Sequence, residues 1–150
     1  MKRIYLYAAL LAALTLAPKS TADVGELLPV ELISIYRVGS EIHVETDLGL
    51  RGLGESLEDA MKDLRSMAPG KVFLDTADYL ILAPETLDLA PELLKTLRPA
   101  TQVCLGLHTD AGAAQFLSAH APGVTLAELR TGHPKLPILT QREAVYHLAF

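Results

Sequence analysis

The run YLILA, Tyr79 to Ala83, is apolar throughout, with polar DTAD before it and Pro84 and Glu85 after it. A strand that is apolar at successive positions has no face to give to water, so it belongs in the middle of a sheet that is covered on both sides. That requirement points to helices layered on a sheet, and the flanking sequence supplies them.

Upstream, LLPVELISIYRV and EIHVETDLGL are two β-rich runs joined through GSE, which reads as a hairpin. In the second run Ile42, Val44 and Thr46 alternate with His43, Glu45 and Asp47, so the second set is expected on a wet face. Pro29 suits a strand entrance or an edge. In SLEDAMKDLRSMAPG the residues Leu57, Ala60, Met61, Leu64, Met67 and Ala68 keep helical spacing until Pro69 and Gly70 stop the run.

A second helix is predicted through TLDLAPELLKTLR, with Leu93, Leu94 and Leu97 inward and Pro91 in or near its first turn. TQVCLGL is a strand, and Asp110 can cap a helix over AGAAQFLSAHA whose packing face carries Ala113, Phe116 and Leu117, with His120 either on that face or at the helix C-terminus, where it favours the negative end of the dipole. Thr125 and Glu128 form a capping pair. TGHPKLPIL reads as an extended linker, and EAVYHLAF as a last strand or a frayed end. The order indicates a single-domain α/β sandwich, with an N-terminal β-hairpin followed by βαβα units on a mixed sheet. At 150 residues the chain is long enough for one core.

Residues 1 to 22 stand apart. Lys2 and Arg3 precede the apolar run IYLYAALLAALTLA, and Ser20 and Ala22 are spaced as in a signal-peptide cleavage site, so cleavage after Ala22 and export are expected. Removing them takes Lys2, Arg3 and Lys19 and no acid from a net charge of −5, leaving −8 over residues 23 to 150. An acidic domain is a poor partner for nucleic acid or for anionic lipid. Cys104 is the single cysteine, so no internal disulfide forms, and its apolar surroundings make it a buried thiol.

The glycines of RGLGESLEDA invite comparison with phosphate-binding loops. Leu57 stands where the third glycine of a dinucleotide fingerprint belongs, and Glu55, Glu58 and Asp59 place negative charge where a phosphate would sit. The glycines are therefore expected to let the chain leave the hairpin, while Ser56 starts the helix. Glu58 also occupies the last glycine position of a nucleophile elbow around Ser56. In FLDTAD, Asp75 and Asp78 are separated by two residues and read as a turn whose aspartates bond their own backbone. The histidines, at 43, 108, 120, 133 and 147, show no metal-ligand spacing. No catalytic, cofactor or metal residue is assigned on these patterns.

The succession of signal segment, strand pair, Gly54 to Ala60 helix start, Leu80 to Glu85, Arg98, and then Val103 to Ala119 resembles one family. It is similar to the N-terminal domain of the C subunits of spore nutrient germinant receptors, the Ger(x)C-type spore germination proteins. In that family a strand pair precedes a G-x-[ST]-x-x-[DE]-A helix start, which Gly54, Ser56, Asp59 and Ala60 match. The resemblance covers residues 27 to 139. It implies a non-catalytic, membrane-associated module whose partner is a multi-spanning receptor subunit. The family's lipobox cysteine and its two further domains have no counterpart here, so a lipid anchor is not implied and the resemblance is to a short form. The helix from Ser56 to Ala68 and the hairpin face at His43, Glu45 and Asp47 are the expected contact elements. The alternative is a small secreted hydrolase using Asp75, Asp78 or His108.

Overall fold

The computed structural model describes residues 27–107, 110–132 and 134–150, so the signal-peptide expectation, His108 and His133 lie outside the described residues. Within them, Leu80, Ile81 and Leu82 are fully buried in strand β6 (Tyr79–Leu82), at the centre of a seven-stranded mixed sheet. The fold is α/β, a single domain with helices on both faces of that sheet.

Three strands form an antiparallel meander: β2 (Leu32–Val38), β3 (Glu41–Thr46) and β4 (Arg51–Gly54). The first turn is two residues long, Gly39 and Ser40, with Gly39 at φ +63°, the left-handed conformation that such a turn needs at its first position. The helix α1 (Leu57–Met67) follows β4. Two short strands, β1 (Leu27–Pro29) and β5 (Lys71–Phe73), pair in parallel as a separate two-stranded sheet, which places Pro29 on an edge as the sequence predicts. β6 then pairs in parallel with β2 and with β7 (Gln102–Leu105).

The segment between β6 and β7 is not the regular helix expected from TLDLAPELLKTLR. It is a 3₁₀ turn, Pro84–Leu89, followed by one α-turn, α2 (Ala90–Leu93), with Pro91 in its first turn. Leu93 and Leu97 still point inward. After β7 come α3 (Ala111–Ala119), α4 (Leu126–Thr131), β8 (Ile138–Arg142) and β9 (Val145–Ala149). The sheet order is β4-β3-β2-β6-β7-β8-β9. β8 joins β7 at a single registered pair, Leu105 with Ile138, supported by the Leu105 amide donating to Pro137 at 2.8 Å.

Alternation along the central strands divides the core in two. Ile33, Ile35, Leu80, Leu82 and Val103 face α1, α2 and α4, where Leu64, Leu93 and Leu126 are fully buried. Leu32, Ile81, Cys104 and Leu139 face α3, packing on Ala113, Ala114 and Leu117. Each fully buried Leu or Ile contributes roughly 1.5–3 kcal/mol. The caps fall where the sequence placed them: the Asp59 amide donates to Ser56 Oγ, the Ala113 amide to Asp110, and Thr125 with Glu128 forms a complete capping box.

Two expectations fail here. Gly52 and Gly54 do not lead the chain out of a hairpin, because they lie inside β4 as the third strand of the meander. Their purpose is close approach: a Cβ on Gly54 would sit 2.5 Å from the Ala60 amide nitrogen, and one on Gly52 would sit 2.6 Å from Leu64 Cβ. Helix α1 rests directly on strand backbone. Met67, assigned to the packing face, is instead 69% exposed, because the helix ends as it leaves the sheet.

A graded stability series follows. Gly52→Ala and Gly54→Ala, which force α1 away from β4, should each cost about 3 kcal/mol in urea unfolding. Gly49→Ala, at φ +75° in open space, should cost about 1 kcal/mol. Equal costs at the three positions would refute the close seat.

Candidate functional site

The meander places Ser34 and Tyr36 of β2, His43 and Glu45 of β3, and Arg51 and Leu53 of β4 side by side on the sheet face opposite α1. Glu45 is 7% exposed, which overturns the expectation of a wet hairpin face. Its Oε1 accepts from the Tyr36 hydroxyl at 2.9 Å and lies 3.0 Å from Arg51 Nε. Those contacts let a carboxylate stay buried, because a charge removed from water needs both a counter-charge and hydrogen bonds. Tyr36 stacks on His43, with ring centroids 5.0 Å apart. Asp47, the third residue of the expected face, accepts from the Glu31 and Leu32 amides at 3.2 Å each. It fixes the turn between β1 and β2.

A cleft of about 310 Å³ opens beside this cluster, lined by Tyr36, His43, Glu45, Arg51, Leu53 and Asp63 among others. Asp63 reaches out from α1 to accept the Leu53 amide at 3.0 Å, taking up an edge group of β4. Among the described residues, Ser34 Oγ and His43 Nε2 are buried without a hydrogen-bond partner. His43 Nε2 is 3.9 Å from Glu41 Oε2. The cluster stiffens the meander from its second face.

The DTAD segment is built differently from the sequence expectation. Asp75 is exposed on a 3₁₀ turn, Leu74–Thr76, and Asp78 forms an ion pair with Arg98. Thr76, rather than either aspartate, organises the turn: its hydroxyl accepts from the Val30 amide at 3.1 Å and reaches the Phe73 carbonyl at 2.7 Å. Arg98 also lies 3.5 Å from the Thr76 and Ala77 carbonyls, so it clamps the entrance to β6. With Asp78 so engaged, the two aspartates are not a pair of free carboxylates.

Cys104 is fully buried against α3, and burial pushes its thiol up to about 12. His120 caps α3 and stacks on Phe116 with centroids 4.5 Å apart, exposed rather than packed inward. Asp110 is held below the usual carboxylate range by a hydrogen bond from Tyr146 and by backbone amides. Tyr146 is correspondingly raised to about 12, by burial first and then by Asp110. Among the described residues no group of three His, Cys, Asp or Glu side chains could hold a metal, and no helix is long and apolar enough to cross a membrane.

The feature that sequence reading missed lies at the other end of the sheet. Leu107, Ile138, Val145 and Phe150 are 59%, 46%, 55% and 78% exposed. A groove of about 480 Å³ runs between Pro84, Leu105, Leu107, Ile138 and Gln141. It lies off the carboxyl ends of β6 and β7, where open α/β sheets bind ligands. The prolines of HPKLPIL, Pro134 and Pro137, masked it, since the stretch reads as a linker although the alternation needed for a strand begins at Ile138.

No family model, curated protein or solved structure matches the chain.

Two outcomes test this assignment of roles. Glu45→Ala should cost about 2 kcal/mol in denaturant unfolding, since it removes a buried hydrogen-bonded carboxylate, whereas Asp75→Asn should stay within about 0.5 kcal/mol. Cys104 should resist thiol reagents at pH 8, where a thiol of this pKa is about one part in 10⁴ thiolate, and react once the chain unfolds. Because folding raises this pKa, the unfolded state releases its proton first. Stability is therefore intact below about 9 and falls as pH rises towards 12.

Proposed function

We propose that the chain is a non-catalytic exported module that docks, at or near a membrane, on a multi-spanning receptor subunit, as the germinant-receptor C-subunit domain it resembles would. One observation carries the reading: the apolar surface made by Leu107, Ile138 and the groove between them, off the carboxyl ends of the central strands β6 and β7. Exposed apolar patches with polar surroundings are typical of protein-binding surfaces.

The residues that carry the resemblance act in this fold as architecture. Gly54 lies under Ala60, Ser56 caps α1, and Arg98 clamps the turn before β6. They support a shared framework, and the docking surface is read from what that framework leaves uncovered. The contact elements therefore move from the hairpin face, whose Glu45 and Asp47 are engaged internally, to the groove. The net charge of −8 over residues 23 to 150 favours a protein partner over an anionic lipid surface.

Crosslinking and pull-down of the full chain from its native host, separated into membrane and soluble exported fractions, tests the proposal. The chain should be recovered on the membrane with a multi-spanning protein. Leu107→Glu combined with Ile138→Glu should lower that recovery about tenfold, the effect of removing interface residues worth some 1.4 kcal/mol. Recovery as a free, unpartnered species would sink it.

A further inference from the structure

We propose that the edge of β9 left unpaired among the described residues pairs with β9 of a second copy of this chain, antiparallel about a two-fold axis at His147, joining two seven-stranded sheets into one. The inference does not depend on the receptor-docking reading. The two ends of the main sheet are unlike. At β4 the Leu53 amide is taken by Asp63 and α1 rests on the strand. At β9 the strand reads Val145, Tyr146, His147, Leu148 and Ala149, with none of the lysines, acids, prolines or glycines that blunt natural edges.

The hairpin register determines which backbone groups that edge offers. β8 and β9 close over Glu143 and Ala144, both at positive φ, with Arg142 opposite Val145. In such a two-residue hairpin the closing pair exchanges both hydrogen bonds, and the direction then alternates. The amide groups of Val145, His147 and Ala149 therefore turn towards β8, and those of Tyr146 and Leu148 face outward. Two copies related by a two-fold axis at His147 bring Tyr146 opposite the partner's Leu148, and Leu148 opposite the partner's Tyr146. All four outward-facing residues then find partners.

The side chains are self-complementary in the same register. Tyr146 and Leu148 lie on the face that packs on Phe116 and Leu139, so their cross-strand pairs extend that apolar layer. Val145 meets the partner's Ala149 on the opposite face, and no charged side chain is enclosed. The two-fold pairing uses the β9 edge of both copies and so stops at two, while Asp63 and α1 obstruct the β4 edge at Leu53.

The test uses the full chain in mild detergent, which accommodates the apolar run Ile4 to Ala17. The central His147 pair is of the non-hydrogen-bonded kind, with Cα atoms about 4.5 Å apart, within disulfide reach. Under copper-phenanthroline oxidation, which removes two electrons as two thiols lose their protons, His147→Cys should give a reducible dimer. Thr140→Cys, equally exposed but one strand inward, should remain monomeric. Val145→Glu added to His147→Cys should suppress the dimer. No crosslink, equal crosslinking at both positions, or attachment to a different protein would overturn the proposal.

A second measurement does not rely on oxidation. His147→Lys and His147→Glu should each sediment as monomers, and an equimolar mixture should sediment as a dimer. Dimers that persist in both variants alone would place the interface elsewhere, and a mixture that stays monomeric would exclude this register.

Discussion

Everything in this fold follows from the burial of β6 on both faces. Leu80 and Leu82 need one layer of helices and Ile81 needs another, so α1, α2 and α4 collect on one side and α3 on the other. On the face away from α1, the described residues supply one helix, α3, and it covers Leu32, Ile81, Cys104 and Leu139 in the middle of the sheet. The two flanks solve their exposure in different ways: the meander by a hydrogen-bonded polar cluster and the C-terminal hairpin by leaving apolar side chains in water. Both the structural stiffness at one end and the surface available for association at the other are consequences of that limited cover.

The sequence announced those elements whose determinants are local. The hairpin of β2 and β3, the start of α1 at Ser56, the cap at Asp110 and the capping box at Thr125 depend on neighbours a few residues away. So does the identity of β6 as a central strand, because five apolar residues in a row carry their own burial requirement. What could not be read depended on distant partners. Glycines have poor strand propensity, and Gly52 and Gly54 become a strand because α1 needs bare backbone to rest on. Glu45 has the alternation of a wet position and is buried because Tyr36 and Arg51, on two other strands, converge on it.

The candidate chemistry shows the same division. Cys104 was legible as a buried thiol from its apolar neighbours. The DTAD turn was recognised as a turn, but its organiser is Thr76, whose bonds reach back 46 residues to Val30, and its second aspartate answers to Arg98, 20 residues on. Polar residues in a short loop have several ways to be satisfied, and local preference cannot choose between a backbone partner and a distant guanidinium. The apolar end of the sheet was hidden because β8 becomes a strand by pairing along its length with β9, a segment that read equally as a strand or a frayed end.

The join between β7 and β8 has a consequence of its own. One registered pair, with the Leu105 amide beside it, is all the ladder that fastens the C-terminal hairpin to the parallel strands. β8 and β9, by contrast, are paired along five positions. The hairpin is therefore a cooperative unit in its own right, and the seam beside it should open before the rest of the sheet does. Amide exchange should be faster across that seam than within β2, β6 and β7, although Leu139, Tyr146 and Leu148 keep the hairpin seated on α3.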